Sequence, residues 1–391
     1  EGFSASRVHH RTMRLTDEPT VLGVVGGGQL CRMLAEAASP LGVEVVFVDP
    51  TPGAPASAVA RDQIVGGFDD PDAVERLADR ADFLTYDIEL ADPEVVESAA
   101  DEVGVPVHPD PDTLRTIQDK YVQKEALVEN GVPVPAYRAV ETVGDLRDAA
   151  DELGLPLMLK AREGGYDGRG NYPVETEDDF EDAISALDGP KMVEEFVEYD
   201  RELSVIAAQG DGETALYPVT ETIHREEILR RTVAPARTDE KTREKAHEVA
   251  REVLEVMEGR GVYGVEMFED DGDISVNEIA PRPHNSGHWT IEGARASQFE
   301  QHARCVAGLP LGPTVLRAPT VSVNILGEGG PRDVSLAGVG DLLASRAHLH
   351  WYGKKEERPL RKLGHFTLTG SDTDELLREA DDVQDELRFE R

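Results

Sequence analysis

Cysteine is nearly absent from this 391-residue chain: Cys31 and Cys305 are the only two, and they lie far apart. That count excludes a disulfide framework and a four-cysteine zinc site, and it suits a reducing cytoplasm. Long apolar runs are missing too. No stretch approaches the roughly 18 apolar residues that span a bilayer. The first dozen residues (EGFSASRVHHRT) hold no apolar core of a signal peptide. Residues 1–12 are expected to be an extension or tag remnant and are set aside. Positive charge is scarce, with 40 basic against 78 acidic residues and a net charge of −38. Such a surface repels DNA, RNA and anionic membranes, so none of the three is expected as a partner. The acids are spread through helical segments (DDPDAVERLADRAD, ETEDDFEDAISALD) and do not form a tail. A solvated surface adapted to high salt, where ions screen the repulsion, explains them. No internal repeat or low-complexity segment is present.

What is present is a globular composition. Hydrophobic residues make up 39%, enough for buried cores, and the length suggests two to four domains at roughly 100–200 residues each. Residues 20–25 read as a buried strand, 26–30 as a glycine turn, 30–39 as a helix and 43–48 as a second strand. This is the opening of a doubly wound sheet. Strands at 63–65 and 83–86 flank a helix at 71–80, so residues 13 to about 115 form one α/β domain. One helix is expected over 112–130, stopped by Asn130-Gly131 with prolines behind it. Beyond it strands are expected at 157–161, 171–174, 191–196, 202–208, 215–219, 262–268 and 274–279, and helices at 142–153, 176–187 and 239–258. A small strand-rich piece begins at 319–326.

Six segments carry chemistry. Gly26-Gly27-Gly28-Gln29-Leu30 follows a strand, and its glycines let backbone N–H groups approach a phosphate at a helix N-terminus. Cys31 stands where a dinucleotide fingerprint has its third glycine and Asp49 is the only candidate for a ribose-binding acid, which disfavours a nicotinamide enzyme; a plain tight turn is the bland alternative. Gly164-Gly165-Tyr166-Asp167-Gly168-Arg169-Gly170 places four glycines in seven residues just after Lys160. Such a loop covers nucleotide phosphates and excludes water, and Lys160, at the end of an apolar strand, suits a phosphate. Glu194, Glu195, Phe196 and Val197 end another strand, with Glu202 close behind. They suit an adenine edge and ribose hydroxyls, or they are merely part of a generally acidic surface. Glu266 and Glu278 sit in apolar strand-like runs joined by a turn. Burying them unpaired would be costly, and a magnesium ion held by carboxylates and phosphates accounts for them, with Asn277 as a further oxygen donor. The alternative is two ion-paired acids. Residues 281–290 (PRPHNSGHWT) form a polar wall in which Arg282 can pair with phosphate or carboxylate, while His288 and Trp289 serve equally well as packing groups. Residues 350–365 hold a cationic cluster that includes Lys354, Arg361 and Lys362. It suits a phosphate monoester or pairs with neighbouring acids.

Together these segments resemble the N5-carboxyaminoimidazole ribonucleotide synthase family of ATP-grasp enzymes. The resemblance covers about residues 20–370 and rests on GGGQL, GGYDGRGN at 164–171, NEIAPRPHNSGHWT at 277–290, ASQFEQH at 296–302 and the HLHWYGK…RKLGH pattern at 348–365. It implies an α/β ATP-grasp architecture: an N-terminal doubly wound parallel-sheet domain (13–115), a central ATP-grasp domain (116–318) and a small strand-rich C-terminal domain (319–391). It implies that ATP contacts Arg115, Lys160, the 164–170 loop, Glu194 to Val197, Glu202, His224 and Asn277, and that Glu266 and Glu278 bind Mg2+. Bicarbonate would attack the γ-phosphate to give carboxyphosphate, which carboxylates aminoimidazole ribonucleotide. Tyr166, Asp167 and Arg169 would orient that intermediate, and His284 and Asn285 would meet the imidazole or bicarbonate. The ribonucleotide would lie against Gly28, Gln29, Leu30, Glu89 and Arg282, its phosphate near Lys354, Arg361 and Lys362. A cytoplasmic homodimer is implied.

Three departures from the family pattern stand out. Cys31 replaces a glycine after Gln-Leu, Tyr-Asp-Ile-Glu-Leu at 86–90 differs from the commoner Tyr-Glu-x-Glu, and Leu360 replaces a glycine in the Arg-Pro-Gly-Arg-Lys pattern. The competing readings are a formate-dependent transformylase of glycinamide ribonucleotide, a non-catalytic nucleotide-binding protein on the same fold, and a nicotinamide dehydrogenase.

Overall fold

Apolar β-branched runs with acids and glycines at their ends fold as expected into strands that stop at a common edge. In this computed structural model, which describes residues 18–164 and 170–390, Thr20–Val25, Val43–Asp49, Asp62–Val65 and Phe83–Tyr86 form a parallel sheet. Its order is Asp62–Val65, Val43–Asp49, Thr20–Val25, Phe83–Tyr86. The chain reverses direction across the sheet at Thr20–Val25. The glycine turn therefore sits at the switch point, where such sheets bind ligands.

The excess of acid has a local use. Asp70, Asp92, Asp110, Asp119, Asp239 and Asp372 each cap a helix by accepting backbone N–H bonds. A carboxylate there satisfies orphan donors and opposes the helix dipole. One of these caps corrects an expectation. The helix anticipated over 112–130 is two helices, Pro111–Gln118 and Lys120–Glu129. Asp119 is extended between them (φ −102°, ψ 109°), and its side chain takes the Tyr121 and Val122 N–H groups. It also pairs with the Arg162 guanidinium. A residue that caps the next helix cannot continue the previous one.

The centre of the chain makes two sheets. Tyr137–Val140, Leu157–Ala161, Asn171–Val174 and Lys191–Glu195 form a four-stranded antiparallel sheet. Arg201–Gln209, Gly261–Asp270 and Asp273–Ala280 belong to a nine-stranded sheet whose apolar face packs against Glu240–Val256. The strands Thr220–Arg225 and Ile228–Ala234 of this sheet form a hairpin that alternation alone did not reveal. The strand-rich piece after residue 319 is not a separate sheet. Thr320–Leu326 pairs with Ile228–Ala234, and Lys362–Thr369 and His348–Trp351 extend the same sheet. Lys362 is thereby carried to the large sheet's edge of the central cleft.

Candidate active site

A cleft of about 880 Å³ opens between the parallel sheet, the four-stranded sheet and the nine-stranded sheet. Its floor is built by one irregularity. Glu266 pairs with Glu278 and Met267 with Val276, so Asn277 is an extra residue in its strand. Side chains normally alternate between faces. The bulge breaks that alternation, and Glu266, Asn277 and Glu278 all line the cleft. Lys160 reaches across from the opposing sheet, with its Nζ 2.9 Å from Glu194 Oε2 and 3.2 Å from Asn277 Oδ1.

The cations are arranged by a buried carboxylate. Glu194 is 2% exposed, accepts a hydrogen bond from Lys160 and forms an ion pair with Lys124 at 3.2 Å. Burial alone would raise this carboxyl, but the two lysines outweigh it and hold it below the usual range. Burial, with Lys160 and Lys120 crowding it, pushes Lys124 down to about 8 despite Glu194. The Glu194 side chain therefore serves the lysines, a correction to its expected place at the nucleotide. The neighbouring Glu195 carboxylate bonds the Ala136 N–H at 2.9 Å, while Phe196 is exposed and Val197 half-buried. Lys120 was not singled out from the sequence. Its Nζ lies 2.8 Å from Glu278 Oε1, inside the cleft. The signal was there: Lys120 and Lys124 are four apart at a helix start, on one face. Arg115 lines the cleft but is committed to Glu94, Glu97 and Asp112.

Glu266 is the strained member of the acid pair. Burial pushes its carboxyl up to about 7, with Glu278 and Glu202 adding to the effect and His224 opposing it. Glu278 keeps about half of its side chain open, and Lys120 outweighs burial to hold it low. His224 Nδ1 is 2.6 Å from Glu202 Oε2, and Glu202 also accepts the Tyr199 hydroxyl at 2.6 Å. Among the described residues no group of three or more histidine, cysteine, aspartate and glutamate side chains is placed to hold a metal alone. Two carboxylates and an amide oxygen, one carboxylate disfavoured without a cation, do fit Mg2+, which completes its shell with water and substrate phosphates.

The wall at 281–290 divides into two halves. Arg282, His284 and Asn285 line the cleft. Arg282 Nη2 lies 2.7 and 2.9 Å from the Glu89 oxygens, so Glu89 is at the site despite its altered surroundings. Asn285 is 8% exposed, and both of its amide atoms are buried without a partner. An orphan amide beside an open cleft is placed for a ligand. His288 and Trp289 are buried at 1% and 0% exposure and belong to packing. His288 stacks on His365 with ring centroids 4.5 Å apart.

The glycine turn departs from expectation. Gly28 N–H donates to Asp87 Oδ2 at 2.8 Å and Cys31 N–H to Oδ1 at 3.1 Å, and Gly27 N–H goes to Asp49. Carboxylates of the chain occupy donors that were expected to face a phosphate, while Gln29 and Leu30 do line the cleft. Burial, with Asp49 adding and Arg282 and the two N–H groups opposing, pushes Asp87 up to about 7. Of the basic cluster, Lys362 lines the cleft. Lys354 lies over the Tyr352 ring, and Arg361 donates to the Glu356 carbonyl at 2.9 Å; neither is in the lining. Gly164 lines the cleft and Gly170 ends the glycine loop. Gly165, Tyr166, Asp167, Gly168 and Arg169 lie outside the described residues.

Comparison with known proteins identifies the family. Residues 20–118 match the ribonucleotide synthetase preATP-grasp domain, 125–299 the ATP-grasp domain and 320–379 the phosphoribosylaminoimidazole carboxylase C-terminal domain. N5-carboxyaminoimidazole ribonucleotide synthase of Bacillus subtilis is 38% identical, covering 92% of this chain and 94% of that one. The chain belongs to this family of ATP-grasp ligases. The solved Thermotoga maritima N5-carboxyaminoimidazole ribonucleotide synthetase is 44% identical with a TM-score of 0.86, over 95% of this chain and 99% of that one. An Aspergillus clavatus family member solved with ADP and 5-aminoimidazole ribonucleotide is 35% identical with a TM-score of 0.87, over 94% and 98%. The fold class expected from the sequence is the one found. No helix among the described residues is long and apolar enough to cross a membrane.

Proposed function

We propose that this chain uses ATP to activate bicarbonate as carboxyphosphate and transfers the carboxyl group to the exocyclic amine of aminoimidazole ribonucleotide, a step of purine synthesis. The observation that carries this reading is the bulge that turns Glu266, Asn277 and Glu278 into one cleft with Lys160, Lys120 and the Arg282–Asn285 wall. Nucleotide phosphates meet Lys160 and Lys120, which neutralise charge as the γ-phosphoryl group leaves. Lys120 takes the role that the family resemblance implied for Arg115. His224, paired with Glu202, and the backbone at 195–197 border the nucleoside. Glu266 and Glu278 would hold Mg2+, which would supply positive charge beside the phosphates. Arg282, His284 and Asn285 receive bicarbonate beside the imidazole, with Glu89 holding Arg282. The ribonucleotide phosphate lies between the α-helix start at Gln29 and Leu30 and Lys362, with Lys354 and Arg361 behind it. Tyr166, Asp167 and Arg169 orient the intermediate. Domain limits near residues 115 and 318, a homodimer and a salt-rich cytoplasm complete the reading.

The test is a matrix of acids and acceptors. Phosphate release from MgATP is measured with bicarbonate or formate, each with aminoimidazole or glycinamide ribonucleotide. Stimulation confined to bicarbonate with the aminoimidazole ribonucleotide is expected. Stimulation by formate with glycinamide ribonucleotide instead would replace the reading with the transformylase.

A further inference from the structure

We propose that Ser204 and Ser286 are positioning residues that fix the tautomer of His284, making its Nε2–H a standing hydrogen-bond donor toward the bound bicarbonate. The inference rests on the assignment of His284 to the bicarbonate site. It adds two residues that do not touch substrate, and a direction for the proton.

The ring nitrogens of a neutral histidine are told apart by their partners. His284 Nδ1 receives the backbone N–H of Ser286 at 3.3 Å. A nitrogen that accepts an N–H carries no proton itself. Ser286 Oγ lies 2.9 Å from the same Nδ1, so its hydroxyl must donate. The Ser286 oxygen is then left to accept, and Ser204 Oγ, 2.6 Å away, must donate to it. The chain Ser204 to Ser286 to Nδ1 therefore has one polarity. Both serines are buried, at 1% and 0% exposure, so water does not compete. Glu266 Oε1 is 3.8 Å from Nδ1, beyond hydrogen-bond reach.

The backbone is locked as firmly as the ring. Gln298, fully buried, accepts the His284 N–H at 2.8 Å and donates to the His284 carbonyl at 2.7 Å. Gly264 lies beneath the imidazole, where a Cβ would stand 2.5 Å from His284 Cβ. With Nδ1 held inward, the Nε2–H edge is left for the cleft that His284 lines. For Nε2 to act as a base, Nδ1 would have to be protonated, against the Ser286 N–H that faces it. An uncharged donor beside the Asn285 amide suits an oxyanion, and it does not draw off the proton of the attacking amine.

The experiment joins a spectrum to kinetics on the full chain. With isotopically labelled histidine, ring-nitrogen shifts of the resting protein report the tautomer directly, the His284 signals being identified by their loss in His284→Gln. Protonated Nε2 with bare Nδ1 is expected; a protonated Nδ1 overturns the proposal. Ser286→Ala should raise KM for bicarbonate about five- to tenfold, the worth of one hydrogen bond to the ring, and leave KM for ATP within about twofold. Ser204→Ala should act in the same direction and Ser204→Thr should restore the wild-type value. Unchanged bicarbonate KM in both alanine variants overturns the proposal. If Ser286→Ala does not fold, the wild-type spectrum and the Ser204 pair decide. Should wild type show no bicarbonate-dependent turnover, the functional reading fails, and the resting spectrum still judges the tautomer.

Discussion

At the scale of single residues, the site is a matter of which cation faces which acid. Arg115 and Lys120 lie five positions apart and only one is placed for chemistry. Arg115 is held by three carboxylates at the rim, whereas Lys120 pairs with Glu278 on the floor. Lys120→Met is expected to lower kcat/KM for ATP by about a hundredfold, the scale of one lost electrostatic stabiliser. Arg115→Met should stay within about threefold of wild type. Steady-state kinetics in which Arg115→Met is the more damaging of the two would restore the assignment made from sequence. Glu266 supplies a pH dependence. Its carboxyl is raised to about 7 by burial and by the neighbouring acids. Below that pH the folded protein binds a proton there, and a cation must displace it. The apparent affinity for Mg2+ with nucleotide should therefore rise about fivefold from pH 6 to 7, by about a further twofold to pH 8, and level off above. A flat Mg2+ titration across that range would remove Glu266 from the metal site. For the protein without ligand the sign is opposite. A raised carboxyl favours folding below its unfolded value, and that contribution is lost as pH climbs through about 7.

At the scale of elements, what the sequence could and could not announce has a physical pattern. Lys160, near the end of an apolar strand, and Glu266, inside one, were legible because a charged side chain in an apolar run must have a use. The parallel sheet was legible because Thr20–Val25, Val43–Asp49 and Phe83–Tyr86 are largely buried and read as nearly continuous apolar runs. The bulge at Asn277 was not legible, since it is a property of two paired strands and not of one. Nor was the break at Asp119, where a cap overrides a continuous helical pattern. The merging of Thr320–Leu326 into the large sheet depends on a partner strand about ninety residues away. The glycine turn misled because the acids that take its N–H groups lie elsewhere in the sheet, Asp49 at the end of one strand and Asp87 just after another. The loop at 358–362 offers a test of local strain. Leu360, where the family pattern has glycine, adopts φ +62°, a region that suits glycine and burdens a bulky side chain. Leu360→Gly should be neutral or stabilise the fold by up to ~1 kcal/mol, the strain relieved less the added freedom of the unfolded chain. A clear loss of Tm would mean that the Leu360 side chain contributes more by packing than its backbone costs.

For the whole molecule, a net charge of −38 on 391 residues is a source of self-repulsion in the folded state. Six aspartates are used as helix caps, yet most of the acids lie on exposed faces and repel one another. Salt screens that repulsion over about 10 Å at 0.1 M and about 3 Å at 1 M. The melting temperature is expected to rise from low to molar potassium chloride, as thermal scans would show. A melting temperature that falls with salt would mean that ion pairs such as Arg237–Glu221 and Arg346–Glu379 outweigh the general repulsion. The three sheets meet at one cleft, and the chemistry assigned to it has a product that can be caught. Radiolabelled bicarbonate is incubated with the protein, MgATP and aminoimidazole ribonucleotide in molar salt, and label in the ribonucleotide is measured against ADP formed. Label matching ADP one for one, absent without ATP, is the predicted result. ADP formation without label in the ribonucleotide, in salt where the protein is folded, would contradict the account.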